Sequence, residues 1–206
     1  MMQIIIGESE LEIAREIGID DILDSSIHYP YMKKMKSWER RGRPDIIHMC
    51  LLIALESILN KENFLRIYIH TRNDEVIYVN PATRMIKNYN RFKGLMKQLL
   101  EYGRVPLNDS PLMEVKREKL PHLIDKMKGK KILFSKKGEK KNLKEVFEED
   151  TICIIGGFPC GDFSSPVHEY VDEVISLYDE MLPAWIVEME AIVIYEGYIR
   201  EKLFFK

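Results

Sequence analysis

The sequence predicts an α/β fold built around a largely parallel sheet that helices cover on both faces. Short apolar segments typical of buried strands occur at residues 3–6, 131–135, 151–155 and 173–177, and helical segments separate several of them. Strands that are apolar along most of their length are buried on both faces, which favours parallel pairing with helical crossovers. Of the 206 residues, 46% are hydrophobic, and no apolar run has the length of a membrane span. We therefore expect one main core and no membrane segment.

A long polar segment interrupts the first half of the chain. After the strand at residues 3–6, the pattern predicts a short amphipathic helix over residues 10–17. Residues 24–43 are then polar, and they are too numerous for a simple connection between two elements. We interpret them as either functional or an extension of the core, within a single domain that spans residues 1–206.

Helices and a strand pair follow this extension. Pro44 suits the first turn of a helix, and Asp45 would lie in that turn. Residues 64–70 alternate between apolar and polar side chains, and residues 76–80 follow a turn, so the two segments are predicted to pair. Residues 91–100 have apolar side chains at helical spacing. Two more helical segments are predicted at residues 143–147 and 183–198.

The charges are segregated along the chain. The net charge of −2 argues against a generic polyanion binder. However, residues 84–104 carry 6 basic and 1 acidic side chains (+5), and residues 116–144 carry 12 and 3 (+9). Residues 145–206 carry 3 basic and 14 acidic side chains (−11). The basic middle could hold an anion, although the lysines of residues 128–144 are equally consistent with a solvated loop.

Three cations in the first basic block suggest a nucleic-acid site. If residues 84–91 are helical, Arg84, Lys87 and Arg91 fall at offsets of 0, 3 and 7, which puts them on one face. Such an arrangement would contact the phosphate backbone of a nucleic acid. Nearby aromatic side chains at Tyr29, Tyr31 and Trp38 could stack on bases, or could simply cover a surface extension.

The cysteines and the first residues favour a cytoplasmic protein. Cys50, Cys153 and Cys160 are too few and too scattered for a disulfide framework or a zinc site, so no metal is expected. The start of the chain lacks the basic and long apolar regions of a signal peptide. Cys153 is predicted to be packing, whereas Cys160 lies in a glycine loop, where a reactive thiol is the less favoured alternative.

The loop IIGGFPCGDF, at residues 154–163, follows a predicted strand. Its glycines, Gly156, Gly157 and Gly161, would let the backbone approach a ligand closely. The spacing is GGxxxG rather than the GxGxxG of dinucleotide sites, and no GK[ST] ending is present. The loop is therefore a candidate clamp for an adenine or a methionine moiety, and the alternative is a tight turn.

Several motifs occur in an order that resembles a known family. They are RPDI at residues 43–46 followed by His48, YIHT at 68–71, VNPATR at 79–84, RFKGLMKQLL at 91–100 and the IGGFPCG loop. With these motifs the chain resembles, over nearly its whole length, the archaeal and eukaryotic small-subunit ribosomal RNA methyltransferases that act on N1 of pseudouridine, members of the SPOUT superfamily.

The resemblance implies a fold, a reaction and partners. The fold would be a SPOUT-type α/β fold with a C-terminal deep trefoil knot, in a homodimer. The chain would transfer a methyl group from S-adenosyl-L-methionine to a pseudouridine of small-subunit ribosomal RNA during ribosome biogenesis, with ribosomal proteins as further partners. The alternative is a non-catalytic RNA-binding factor that acts in ribosome assembly.

The resemblance also implies site residues. The RNA contacts would be Arg43, Arg84, Lys87 and Arg91. Arg43 and Asp45 would be the catalytic pair, in which Asp45 either orients Arg43 or acts as general base. The first role is favoured, because a carboxylate held by arginine is a weak base. The cofactor residues would be Ser135, Gly156, Gly161, Leu177, Tyr178, Asp179, Glu180, Met181 and Leu182, although the LYDEML segment is more acidic than the resemblance leads us to expect. His48 and His70 are expected to be packed or capping residues rather than catalytic ones.

Overall fold

Eight strands form one sheet in the computed structural model, which describes residues 1–204 and the side chains of residues 1–200. The strands are β1 (Met2–Ser9), β2 (Leu65–Thr71), β3 (Glu75–Val79), β4 (Arg104–Val105), β5 (Met113–Arg117), β6 (Lys130–Lys140), β7 (Thr151–Gly156) and β8 (Glu173–Ser176). The helices are α1 (Ser25–Met32), α2 (Pro44–Glu56), α3 (Ile58–Lys61), α4 (Tyr89–Tyr102), α5 (Leu120–Lys126), α6 (Leu143–Val146) and α7 (Ala184–Phe204). Short 3-10 turns lie at Ala14–Ile17 and Val167–Tyr170.

Five neighbouring strands of the sheet are parallel. The strand order is β4-β5-β3-β2-β1-β7-β6-β8, and each neighbouring pair from β2 to β8 is parallel. The pairs on the other side of β2 are antiparallel, and Tyr68 of β2 lies opposite Tyr78 of β3, which confirms the predicted strand pair. The carboxyl ends of the parallel strands meet at one edge, where α/β folds bind their ligands.

Apolar side chains cover both faces of the sheet, as predicted. Ile4 and Ile5 are neighbours on β1 and point to opposite faces, and both are fully buried. Ile4 shares its cluster with Phe92 of α4, and Ile5 shares its cluster with Leu123 of α5. Each fully buried side chain of this size contributes roughly 1.5 to 3 kcal/mol relative to exposure. A smaller cluster that includes Met32 lies beneath residues 24–43.

The helix predicted over residues 10–17 is wrong. A 3-10 turn at Ala14–Ile17 is the helical part of this segment. The carboxylates of Glu10 and Glu12 are nearly buried and pair with arginines, Arg40 and Arg41, from the polar extension. These long-range ion pairs replace the solvent-exposed helix face that the local pattern suggested.

Residues 84–88 are not helical, so the condition that would place the three cations of the first basic block on one helix face is not met. Helix α4 begins at Tyr89, and the Asn88 side chain accepts a hydrogen bond from the Arg91 backbone N–H at 3.1 Å, which caps the helix. Arg84 and Lys87 therefore precede the helix. The three cations are exposed, but they do not occupy one helix face.

Some elements were not predicted, and others are longer than predicted. Helix α1 lies in the polar extension, α5 in the second basic block, and β4 and β5 form the antiparallel edge. Strand β6 extends to Lys140, so the interpretation of residues 128–144 as a loop is wrong. The predicted strands at residues 3–6 and 151–155 and the predicted helices that begin near Pro44 and at residue 183 are present, with shifts of a few residues at their ends.

The basic middle and the acidic end of the chain meet in the fold. Lys130 and Lys141 both pair with Glu173, at 2.7 and 2.9 Å. Lys140 pairs with Asp179. The strong segregation of charge along the sequence is thus partly neutralised in space, and these lysines are less available to an anion than the composition suggested.

Two further observations concern the described part of the chain. No helix in residues 1–204 is long and apolar enough to cross a membrane. Nor do the described residues contain a group of three or more His, Cys, Asp or Glu side chains that could hold a metal ion. Cys50 and Cys153 are buried, the latter as predicted for a packing residue, and Cys160 is exposed.

Candidate active site

A cavity of about 640 Å³ opens at the carboxyl edge of the parallel strands. Its walls come from the middle of β6, from the segments that follow β7 and β8, and from the start of α7. The volume lies in the range of small-molecule and cofactor sites. Apolar side chains form much of the lining, including Phe134, Phe158, Phe163 and Trp185. Such a cavity can take a ligand with an aromatic base and an aliphatic or thioether part.

An irregularity in β6 forms one side of the cavity. Phe134 pairs with Ile175 of β8, and pairing resumes at Glu139, so the residues between them leave the regular ladder. A Cβ at Gly138 would lie 2.6 Å from the backbone of Ile175. Glycine is needed at this close approach. Ser135, three residues earlier in the same irregular stretch, lines the cavity.

The glycine loop forms a second side. The Gly157 N–H donates to the Gly7 carbonyl at 2.7 Å, and the Gly157 carbonyl accepts from the Glu10 N–H at 3.2 Å. A Cβ at Gly157 would lie 2.4 Å from the Ser9 hydroxyl, which shows how closely the loop approaches β1. The backbone of the loop is therefore fixed to β1 at the start of the loop.

Most of the predicted cofactor residues lie around this one cavity. Asp179 is the exception, because its carboxylate is exposed and pairs with Lys140. The residues that line the cavity are Ser135, Gly156, Gly161, Leu177, Tyr178, Glu180, Met181 and Leu182. Of the two acidic side chains in the LYDEML segment, Asp179 is thus directed away from the cavity and Glu180 lines it.

Arg43 and Asp45 form a two-point ion pair. The Arg43 Nε and Nη2 donate to the two carboxylate oxygens of Asp45, each at 2.8 Å. Pro44 occupies the first helical position of α2, as predicted, and holds the backbone between them. The hydrogen-bonded carboxylate raises the pKa of Arg43 above its usual value, because it stabilises the charged guanidinium. Both oxygens of Asp45 are thus engaged by Arg43.

A second cavity, of about 520 Å³, lies beside the first. Arg43 and Pro159 line both cavities, so the two spaces are adjacent at these residues. Tyr29 and Trp38 of the polar extension and Tyr89 of α4 provide aromatic walls. The Tyr29 and Trp38 rings pack edge to face with centroids 5.4 Å apart. Aromatic walls and polar groups suit an unstacked nucleobase.

Asp24 organises the second cavity. Its carboxylate accepts hydrogen bonds from Tyr89 at 3.0 Å and Lys93 at 2.8 Å, and it also caps α1 through the Ser26 N–H. Burial alone would raise the pKa of Asp24, but the hydrogen bonds from Lys93, Ser26 and Tyr89 lower it below its usual value. The extension is thus attached to α4 by a charged group that remains ionised at neutral pH.

The two histidines near the motifs have structural contacts, as predicted. His48 stacks on Phe92 with ring centroids 4.3 Å apart, and its Nε2 lies 2.7 Å from the Ile86 carbonyl. His70 is buried, and its Nδ1 accepts a hydrogen bond from the Glu8 N–H. Burial lowers the pKa of His70, so this ring stays neutral at physiological pH.

The predicted RNA-binding cations lie outside both cavities, with the exception of Arg43. Along the chain, Tyr89 lies between Lys87 and Arg91, with Arg84 a few residues before it, and Tyr89 lines the second cavity. The side chains of Arg84, Lys87 and Arg91 are all exposed. Within the described part of the chain none of the three forms an ion pair. They therefore differ from the paired lysines of β6.

Sequence reasoning missed Arg40, Phe158 and Asp24. Arg40 lies 4.1 Å above the Phe158 ring and contacts the backbone of the glycine loop, although it is more than a hundred residues away in the chain. The run of arginines before Pro44 could have indicated that more than one of them has a specific partner. Trp185 packs against the core and also lines the first cavity.

The fold places two adjacent cavities at the carboxyl edge of a parallel sheet. This arrangement is typical of enzymes that bind a cofactor beside their substrate. The family model described as EMG1/NEP1 methyltransferase matches residues 4–196. A ribosomal RNA small subunit methyltransferase Nep1 from Thermococcus onnurineus is 40% identical over 222 aligned positions, which cover 97% of this chain and 100% of the relative. A protein of the same name from Staphylothermus marinus is 46% identical over 180 positions, covering 84% of this chain and 78% of the relative.

A solved structure has the same fold. The crystal structure of Archaeoglobus fulgidus Nep1 bound to S-adenosylhomocysteine matches with a TM-score of 0.86 at 32% identity, over 96% of this chain and 98% of that one. The chain belongs to the EMG1/NEP1 methyltransferase family. The match confirms the predicted SPOUT-type α/β fold, and the C-terminal knot stays a prediction.

Proposed function

We propose that this chain uses S-adenosylmethionine to methylate N1 of a pseudouridine in small-subunit ribosomal RNA, as a step of ribosome biogenesis. The observation that carries the proposal is the meeting of the two cavities at Arg43 and Pro159. A methyl donor in the first cavity and an unstacked base in the second would come together there. Family membership supports the reaction class.

The first cavity suits the proposed cofactor. Phe134, Phe158 and Trp185 offer apolar surface to an adenine ring and a thioether, and the glycine loop offers backbone groups. The Archaeoglobus fulgidus relative holds S-adenosylhomocysteine, the demethylated product. S-adenosylmethionine, when bound, supplies an electrophilic methyl group. We assign its contacts to the eight lining residues predicted from the sequence and leave Asp179 out.

Arg43 and Asp45 act on the target nucleoside. Arg43 presents a guanidinium of fixed orientation at the junction of the cavities, where negative charge develops on the base as N1 loses its proton. Because both Asp45 oxygens are bound to Arg43, the favoured role of Asp45 is to orient that arginine. Much of the rate gain then comes from alignment, which can lower a barrier by roughly 7 to 11 kcal/mol.

RNA binding is proposed for the surface around the second cavity. Arg84, Lys87 and Arg91 are exposed cations that no described carboxylate neutralises. Tyr29 and Trp38 line the second cavity and can stack on a base that leaves the RNA helix. The polar extension at residues 24–43 thereby has a function, as expected from its length.

Assembly and location are also proposals. A homodimer is supported by the exposed apolar side chains Met189 and Val193, which are one turn apart on α7, with Met49 on the adjoining α2. A deep C-terminal knot is proposed from the family resemblance of the sequence. A cytoplasmic location and contacts with ribosomal proteins agree with action on ribosomal RNA.

The direct test is single-turnover methyl transfer from labelled S-adenosylmethionine to a pseudouridine-containing RNA hairpin. The matched substrate is the same hairpin with uridine, whose N1 is bonded to ribose and carries no proton. We expect label in the first hairpin and none in the second. Label in neither hairpin, with RNA binding retained and no calorimetric signal for S-adenosylhomocysteine, would favour the alternative of a non-catalytic assembly factor.

The cofactor assignment is tested with two glycine variants. A Cβ at Gly156 would lie 2.6 Å from the Phe158 ring, so Gly156→Val should abolish S-adenosylhomocysteine binding. Gly94 lies in α4 with nothing within 4 Å of an added Cβ, so Gly94→Ala is the control and should bind normally. Unchanged affinity in a folded Gly156→Val variant would refute the assignment of this cavity.

A further inference from the structure

Strand β1, together with Glu10 just after it, holds the glycine loop at both of the loop's ends. Gly157 exchanges backbone hydrogen bonds with Gly7 and Glu10 at the start of the loop. At its far end the Glu8 carboxylate accepts hydrogen bonds from the backbone of Ser164 and Ser165, at 2.8 Å each, and from the Ser165 hydroxyl at 2.7 Å. These bonds fix both ends of the loop and leave residues 158–162 between them.

Arg40 holds this middle part. Its Nη1 donates to the Asp162 carbonyl at 2.6 Å, and its guanidinium carbon lies 4.1 Å from the centroid of the Phe158 ring. A Cβ at Gly161 would lie 3.5 Å from the same Nη1. Among the described residues, one ion pair involves residues 158–162: Lys137 pairs with Asp162, and the Lys137 side chain is exposed. Arg40 is therefore the half-buried group that contacts both sides of the loop tip.

The acidic end of β1 orients Arg40 in turn. The Arg40 Nε donates to the Glu10 carboxylate at 3.2 Å, and the Arg40 Nη2 lies 3.4 Å from the Glu8 carboxylate. Glu10 also connects the loop with the catalytic pair, because its N–H bonds to Gly157 and its carbonyl accepts from the Arg43 N–H at 3.3 Å. Burial raises the pKa of Glu10, and the charges of Arg72 and Arg40 oppose this effect in part.

We infer that Arg40 is a positioning residue for the cofactor: it sets the shape of loop residues 158–162 so that Phe158 and Gly161 form the wall of the first cavity. The inference rests on the proposed function, since it concerns the same cavity. Arg40 itself does not line the cavity and acts through Phe158 and Asp162.

The experiment compares Arg40 with Arg72 by calorimetric titration of S-adenosylhomocysteine. Arg72 pairs with Glu10 at 2.8 Å, like Arg40, but makes no hydrogen bond or ion pair with the loop. We expect Arg40→Gln to weaken binding by about 10- to 100-fold through lost charged and cation–π contacts. Arg72→Gln should bind within about twofold of the parent, and melting temperatures of both variants report any loss of stability.

A second variant guards against a general loss of structure. Arg40→Lys keeps a cation opposite Glu8 and Glu10 but lacks the planar group over Phe158 and the donor geometry at Asp162. It should keep the parent melting temperature and still bind the product more weakly. In a double-mutant cycle, Phe158→Leu should have less effect in the Arg40→Lys background than in the parent.

The outcomes separate this inference from the proposed function. If the parent protein fails to bind S-adenosylhomocysteine, the proposed function and the positioning role fall together. If the parent binds and the Arg40 variants bind equally well, the cofactor site stands and the positioning role is refuted. Equal losses in Arg40→Gln and Arg72→Gln would also refute it, because the effect would then come from the shared carboxylate cluster.

Discussion

At the scale of single residues, we propose that the pair of Arg43 and Asp45 determines how the acceptor base is held. We expect Asp45→Asn to weaken RNA binding but to leave measurable methylation, because the amide can still contact Arg43 with one acceptor while the charge is lost. Arg43→Ala should be worse, since it removes the donors themselves. Asp45→Asn should bind S-adenosylhomocysteine normally, because Asp45 lines the second cavity and not the first.

Single-turnover methylation and RNA titrations measure these effects together. The contrary outcome is clear for this pair. If Asp45→Asn binds RNA normally and transfers no methyl group at any pH, Asp45 is the general base and the orienting role is wrong. The same titrations on Pro44→Ala would report whether the rigid backbone between the two residues contributes to their geometry.

Residue-scale prediction succeeded where a motif was local. The two-residue spacing of Arg43 and Asp45 around Pro44 indicated a pair, and the structure has it. Residue-scale prediction failed for Arg40 and Asp24. Arg40 bonds to Asp162, which is 122 residues away in the chain, and Asp24 bonds to Lys93, which is 69 residues away. A single sequence carries no periodic signal for contacts at such separations, because they depend on how the sheet brings loops together.

At the scale of elements, the apolar pattern and Pro44 predicted the buried strands β1 and β7 and the start of α2 well. Strands β1 and β7 are apolar because both of their faces are covered, and α2 begins at Pro44 as its sequence suggests. Residues 10–17 misled the prediction, since Glu10 and Glu12 looked like a solvated helix face but are held by arginines. Long-range ion pairs can override a weak local helical preference.

Helix α7 contains a buried carboxyl group that makes stability depend on pH. Glu188 is fully buried beside the Cys50 thiol of α2, a weak donor, and neither carboxyl oxygen has a conventional hydrogen-bond partner among the described residues. Burial raises the pKa of Glu188 well above 4.5. The folded state therefore binds a proton that the unfolded state releases, and this contribution to stability is lost as the pH rises from 4.5 towards the raised value.

We expect Glu188→Met to unfold at a higher temperature than the parent, with a difference that grows with pH. The growth is at most about 1.4 kcal/mol in the free energy of unfolding per pH unit between the two pKa values. Glu190→Met, at an exposed position of the same helix, is the control and should keep the pH dependence of the parent. Thermal unfolding from about pH 5 to about pH 8 measures the difference, and a constant difference would contradict the role of Glu188.

At the scale of the whole molecule, the fold redistributes charge in a way that composition could not reveal. The block at residues 116–144 has the higher net charge, yet several of its lysines pair with carboxylates of the acidic C-terminal block. The block at residues 84–104 has fewer cations, but Arg84, Lys87 and Arg91 are exposed and form no ion pair with described residues. We therefore expect the availability of a cation to RNA to depend on whether it is paired, and not on how many cations its block contains.

This difference predicts which cations set the salt dependence of RNA binding. A cation that neutralises a phosphate releases counterions, so its removal lowers the slope of log K against log salt by roughly 0.7 to 0.9. We expect the triple variant Arg84→Ala, Lys87→Ala, Arg91→Ala to lose a slope of about two to three, and to bind different RNA hairpins more weakly by similar factors. Binding isotherms at several salt concentrations measure the slope.

The matched control replaces three paired lysines. Lys126 bonds to Glu118, Lys140 to Asp179 and Lys141 to Glu173, so each already has a carboxylate partner. The triple variant of these lysines to alanine removes the same formal charge but should change the slope by less than about one unit. If the two triple variants lowered the slope equally, RNA would respond to net charge alone, and the surface around the second cavity would lose its assigned role. A loss of slope confined to the Arg84, Lys87 and Arg91 variant would locate the phosphate contacts beside the aromatic cavity where the target base is proposed to enter.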